Sequence, residues 1–252
     1  MGGGMLFVPL LHYVGGWAID GALIAVSLTL TCVVSYGSGL AHRKQGHYND
    51  EAIKSGLVGA VPGAVLGVII VLILGSNFDL IFKVMSVIML IWSMQKTYNK
   101  IKNEESTIDK NPNPSQPEIP EILHLPLRAY TGVAGMLSSI LAIGAGVIYV
   151  PVLQQYGRLE TRKAIGSSLH LMMVVVPVAI VTHLMFIDRA HWTALKSELM
   201  FLTLLPFLTY VGAKLGALFG MKYITSNNTL KIFLFLVVIV LVKYLLDIVE
   251  YI

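Results

Sequence analysis

Two copies of one phrase constrain this chain more than any other feature. Gly2-Gly3-Gly4-Met5-Leu6-Phe7-Val8-Pro9 opens it, and Gly144-Ala145-Gly146-Val147-Ile148-Tyr149-Val150-Pro151 repeats the pattern 142 residues later. Each runs through three small residues, two apolar positions, an aromatic, Val and Pro. The spacing beyond the phrases agrees as well: Pro9 to Ala22 and Pro151 to Ala164 are both 13 residues, and Ser27-Leu28 and Ser168-Leu169 follow one residue out of step. Gly63-Ala64-Val65-Leu66-Gly67 is answered by Gly212-Ala213-Lys214-Leu215-Gly216. The chain is therefore read as a tandem duplication of about half its length, which has to be settled before a fold is chosen.

The solvent for this duplication is lipid. Of 252 residues 56% are hydrophobic and only 13% charged, and the mean hydropathy is +0.75, so polar surface is too scarce to cover a water-soluble body. The net charge of +4 sits in Lys and Arg between the apolar runs, where the positive-inside rule places them. That removes the reason to expect nucleic acid as a partner and leaves the bilayer. Cys32 is the one cysteine and lies in an apolar run, so no intramolecular disulfide and no thiolate metal site is expected. No metal, cofactor or catalytic residue is assigned.

In chain order, apolar spans are expected over 17–41, 54–74, 80–95, 127–143, 164–187, 198–221 and 230–249. The short segments 5–14 and 147–156 follow the two Gly phrases. Asp20 suits the start of a helix, and the small residues around Pro62 suit close helix approach. Residues 99–126, with Asn111-Pro112-Asn113-Pro114-Ser115-Gln116-Pro117, are too polar and proline-rich to bury a core and read as a cytoplasmic linker. The expected organisation is a first transmembrane repeat over 1–98, that linker, and a second repeat over 127–252. The second phrase has an apolar lead-in, whereas the first has only Met1 before its glycines. The repeat leads one to expect that a lead-in helix was lost or starts upstream.

The fold class is thus an all-α polytopic membrane protein of two homologous halves. Each half is a Gly-broken helix or re-entrant hairpin plus three spans. If residues 127–156 form a hairpin returning to one side, Arg158, Arg162, Lys163 and Lys222 join Arg43, Lys44 and Lys54 inside, and the odd number of spans makes the halves inverted repeats. A full crossing would reverse the second group.

Glycine in mid-membrane weakens a helix, and unwound backbone survives in lipid only where protein or water satisfies it. Two such breaks at corresponding positions point to a transport site. The helices that begin there offer free N–H groups to an anion, so Gly2, Gly3, Gly4, Gly144, Ala145 and Gly146 are the first substrate-binding candidates, with Pro9 and Pro151 completing the phrases. Glycines that merely allow tight crossing are the plainer explanation. Ser27, Ser167 and Ser168 can donate to an oxyanion without a buried charge, and His170 can change charge near neutral pH. No carboxylate falls in the middle of a span: Asp20, Asp79, Asp188, Glu198, Asp247 and Glu250 lie near ends. A cation carrier usually needs one buried, so the substrate is expected to be an anion.

The paired phrases, each followed by Ala and then Ser-Leu, resemble the sulfite exporter TauE/SafE family of bacterial membrane transporters over nearly the whole chain except the linker. The resemblance implies a multi-pass protein of the cytoplasmic membrane that exports sulfite or an organosulfonate. Ala145 stands where the middle glycine of the second phrase belongs. The alternatives are an importer of another sulfur-containing anion and a non-transporting scaffold; an intramembrane enzyme lacks the dyad or metal cluster it would need. No nucleotide-binding loop is present to use ATP, and a homodimer is left open.

Overall fold

The apolar runs become helices because lipid offers no partner for backbone N–H and C=O groups, so each segment satisfies its own. In the computed structural model, residues 3–106, 121–143, 145–187, 192, 199–223 and 226–251 are described. Among them there are nine α-helices and no strand. They are α1 (Gly3–Tyr13), α2 (Gly21–Lys44), α3 (Asp50–Leu74), α4 (Phe78–Ser106), α5 (His124–Leu141), α6 (Ala145–Gln155), α7 (Thr161–Phe186), α8 (Leu199–Tyr223) and α9 (Ser226–Tyr251). A single 3-10 turn, Gly75–Asn77, joins α3 to α4.

Among the described residues, four helices are long and apolar enough to cross a bilayer: α2, α3, α7 and the Phe78–Asn99 part of α4. At about 1.5 Å per residue they exceed the roughly 30 Å hydrocarbon thickness. Caps set their ends. The Asp20 carboxylate accepts from the N–H groups of Ala22 and Leu23, both at 2.9 Å, so α2 begins at Gly21, four residues after the expected Trp17. Asn49 accepts from Ala52 N–H at 2.8 Å and Asp50 and Glu51 fill the first turn of α3, which suits the positive end of the helix dipole. This helix therefore starts before the apolar run does. α4 likewise runs on to Ser106, through the first part of the segment expected to be a linker.

The helices pair in an exchanged pattern. α2 lies against α7; α7 also meets α3, and α2 meets α8; α4 meets α9; α1 lies beside α2 and α6 beside α7. The most extensive contact is α3 on α5, where Gly59, Gly63 and Gly67 meet the backbone of Arg128, Gly132 and Met136. Thr131 of α5 stitches this seam, its hydroxyl directed at the carbonyls of Gly56 (2.9 Å) and Leu127 (2.8 Å). Thr131→Val keeps the shape and removes the cross-helix bond, so unfolding in detergent should come at a slightly lower temperature, corresponding to about 0.5–1 kcal/mol.

The bundle has two chemically distinct ends. At one end α2 hands over to α3, α5 begins and α6 finishes, and Arg43, Lys44, Lys54, Arg162 and Lys163 are exposed there. At the other, α1 and α9 finish and α4 begins, joined by Asp79, Lys83 and Asp247.

Candidate functional site

The second Gly phrase sits in a sharp reversal. α5 stops at Leu141; Ala142 takes a left-handed conformation, φ 50° and ψ 31°, which costs a residue with a Cβ. The Ser138 hydroxyl donates to the Ile143 carbonyl at 2.9 Å, giving the loosened backbone a partner inside the bundle. α6 then returns beside α5. Leu123 N–H donates to the Tyr156 carbonyl at 3.0 Å, and the Tyr130 and Tyr156 rings stack at 4.4 Å and 8°. Residues 124–155 thus form a hairpin that enters and leaves at the basic end.

α1 carries the first phrase and runs the other way. Its last residue, Tyr13, donates to Asp247 Oδ2 at 2.9 Å, at the opposite end of the bundle. Both short helices have 11 residues, with Pro9 and Pro151 at the same internal position. Each proline frees a carbonyl one turn earlier, that of Met5 and of Val147. Val8 of α1 faces Leu141 and Ile143, just ahead of the second phrase, across a cavity of about 10 Å³, room for a single water at most. An oxyanion does not fit there in this conformation.

The predicted site residues divide into two groups. Gly3 and Gly4 open α1, and Ala145 and Gly146 open α6, so each phrase lies at the start of a helix; Gly2 and Gly144 lie outside the described residues. Ser27 on α2 is fully buried and its hydroxyl has no hydrogen-bond partner among the described residues. Ser167 accepts from the N–H of Asn49 at 2.9 Å, at the basic end. Ser168 spends its hydroxyl on the Ile165 carbonyl at 2.7 Å, as serines in membrane helices commonly do. His170 is held by the Gly166 carbonyl at 2.7 Å and stacks on Tyr48, so it too belongs to the basic end.

Two groups escaped sequence reasoning. Tyr149 of α6 is 1% exposed and its hydroxyl is buried with no partner among the described residues. Its signal was available: it is the polar member of a repeat position whose other member is Phe7. A cavity of about 280 Å³ lies at the end away from the basic residues, between Asp20, Gly21, Val71, Gly75, Phe78 and His183. It joins residues from four helices that no sequence pattern connects.

A family model described as Sulfite exporter TauE/SafE matches residues 1–245. No curated protein and no solved structure matches the chain. The family match spans both phrases and the beginnings of all nine described helices, and it agrees with the four apolar helices, among the described residues, that are long enough to cross a membrane. The chain is an integral membrane transporter and belongs to the sulfite exporter TauE/SafE family.

Proposed function

We propose that this transporter exports a small oxyanion, sulfite or an organosulfonate, across the bacterial cytoplasmic membrane. The observation that carries the reading is the pair of short, proline-containing helices α1 and α6. Each opens on its Gly phrase, and they finish at opposite ends of the bundle. A helix N-terminus presents free N–H groups and the positive end of its dipole, and a discontinuous helix pair is how many secondary carriers hold an anion near the midplane. In this reading repeats 1–98 and 127–252, joined by the linker 99–126, are inverted copies. The backbone of Gly2 to Gly4 and of Gly144 to Gly146 binds the anion.

Ser27 and Tyr149 add hydroxyl donors. A buried, unpartnered hydroxyl costs about 1–3 kcal/mol, a cost that a bound oxyanion would remove. Pro9 and Pro151 weaken the same turn of both helices, which lets them shift as the site changes sides. Ser167, Ser168 and His170 line the approach from the basic end, which the positive-inside rule assigns to the cytoplasm. The cavity beside Asp20 and His183 is then the exit on the far side.

The test is stabilisation of the purified protein by added anions, since a ligand that binds only the native state raises the unfolding temperature by mass action. Sulfite should stabilise selectively over chloride and sulfate, and Gly146→Leu, whose side chain would fill the start of α6, should lose sulfite flux in vesicles and only that part of the stabilisation that comes from the Gly site, while melting normally without ligand. Normal flux in Gly146→Leu would remove the site assignment. Selective stabilisation by another anion would keep the transporter and change its substrate.

A further inference from the structure

Three histidines converge at the basic end of the bundle. His42 closes α2, His47 follows in the loop to α3, and His170 is on α7. The His47 N–H donates to the His42 carbonyl at 3.1 Å, and the two rings lie 6.1 Å apart. α7 reaches them through Gly166, where even a methyl group would overlap the His47 carbonyl and come within 3.3 Å of the His42 side chain. The His170 ring stacks on Tyr48, the next residue, at 5.4 Å.

The hydrogen bonds of His170 decide its chemistry. Its Nδ1 lies 2.7 Å from the Gly166 carbonyl, which can only accept, so the proton of the neutral ring is on Nδ1 and Nε2 carries a lone pair. That Nε2 is buried and unpartnered, and so are Nδ1 of His42 and Nδ1 of His47. No carboxylate lies within ion-pair distance of the three rings among the described residues. The charged groups on the elements around them are Arg43 and Lys44 of α2, Asp50, Glu51 and Lys54 of α3, and Arg162 and Lys163 of α7, all exposed. Glu51 is engaged with His124 at 3.2 Å. The surroundings are therefore predominantly basic, with hydrogen-bonding capacity left over on three titratable rings.

We propose that His42, His47 and His170 form a proton-loaded receptor that captures a small oxyanion at the cytoplasmic mouth before it reaches the Gly phrases. Each ring that takes up a proton turns an unpartnered nitrogen from acceptor into charged donor, and an anion between the rings offsets their mutual repulsion and that of the neighbouring basic side chains. Anion capture and proton uptake are then one event, which gives the transporter a coupling device. The identity of the anion rests on the export reading above; capture itself does not.

The experiment measures sulfite binding to the purified full chain by calorimetry at about pH 7.5 and about pH 6, where histidine changes charge. Wild type, His42→Gln/His47→Gln/His170→Gln, His47→Gln alone and Gly146→Leu are compared. Wild-type affinity should tighten about tenfold toward the lower pH, the order expected when binding takes up one proton. Sulfite's own protonation changes equally for every protein, so the ratio of wild type to variant isolates the rings. The triple variant should lose this ratio, and His47→Gln, in a loop where misfolding is least expected, should lose part of it. Gly146→Leu should retain it while losing flux, which separates failure of the receptor from failure of the Gly site. An unchanged pH ratio in the triple variant, or in a well-folded His47→Gln, overturns the proposal. So does stabilisation by zinc alone that disappears in the triple variant, since the rings would then be a metal site.

Discussion

Replacing Gly63 by leucine should lower the unfolding temperature of the detergent-solubilised protein by about 10 °C. A Cβ at Gly63 would overlap the Gly132 carbonyl, and one at Gly67 or Gly59 the carbonyls of Met136 or Arg128; from the other side, a Cβ at Gly135 would overlap the Ala60 carbonyl. The helices therefore meet backbone to backbone over about two turns. Close approach of this kind replaces the hydrophobic drive that lipid removes. No rotamer relieves the clash, because the obstacle is main chain, and α3 and α5 must separate along the seam. Overpacking of that severity costs about 3 kcal/mol or more, and about 2–4 °C per kcal/mol is the scale for a chain of this size.

The control is built into the repeat. Gly212 of α8 occupies the matching place in the second half, yet a Cβ there meets nothing within 4 Å, because no helix equivalent to α5 lies against α8 among the described residues. Gly212→Leu should therefore melt within about 2 °C of wild type. Equal melting of wild type and Gly63→Leu would mean that α3 and α5 do not touch through their backbones.

Much of this arrangement was legible because membrane helices follow local rules. Apolar length marked α2, α3, α4 and α7, and Asp20 announced the start of α2 through its own carboxylate. The paired phrases marked the two places where the short helices α1 and α6 begin. The boundaries that moved did so for equally local reasons. Polar first turns, such as Asn49-Asp50-Glu51, and the polar tail of α4 to Ser106 are helical without being apolar, and a hydropathy reading stops where apolarity stops. The hairpin was readable as one of two options only; choosing it required the bond from Leu123 N–H to the Tyr156 carbonyl, 33 residues apart.

What sequence could not supply is which polar side chains meet. Ser27 and Ser168 look equivalent in the repeat, yet Ser168 bonds its own backbone and Ser27 bonds nothing described. His170 was a candidate for the substrate site, but its partners, His42, His47 and Tyr48, come from another helix and a loop. An alternating polar position inside an apolar repeat, Tyr149 opposite Phe7, was the one clue of this kind within reach.

Removing the cation at the other end should be the second large effect. Lys83 is buried, 7% of its side chain exposed, with Nζ 3.0 Å from Asp79 Oδ2 and 3.3 Å from Asp247 Oδ2. Asp79 was expected near the end of its span and could pair with Lys83 one helical turn on; Asp247, 164 positions further, could not be foreseen. Tyr13 also donates to Asp247, and His12 Nε2 lies 3.7 Å from it. One lysine thus ties α4 to α9 and, through Asp247, to the end of α1.

Lys83→Met keeps the side-chain bulk and leaves two carboxylates facing each other without their shared counter-ion. Asp79 is worst placed, since its Oδ1 already has no partner among the described residues. Breaking a buried pair from one side costs about 3–5 kcal/mol; the expected loss is about 3 kcal/mol, the low end of that range, because the Asp79 and Asp247 side chains keep 28% and 24% of their surface exposed. If the loss comes from stranded charge, removing a carboxylate as well must restore stability, so Lys83→Met/Asp247→Asn should recover more than half of it. A double variant as unstable as Lys83→Met would assign the effect to packing of the lysine stem, and the three helix ends would then be held by apolar contact instead of charge.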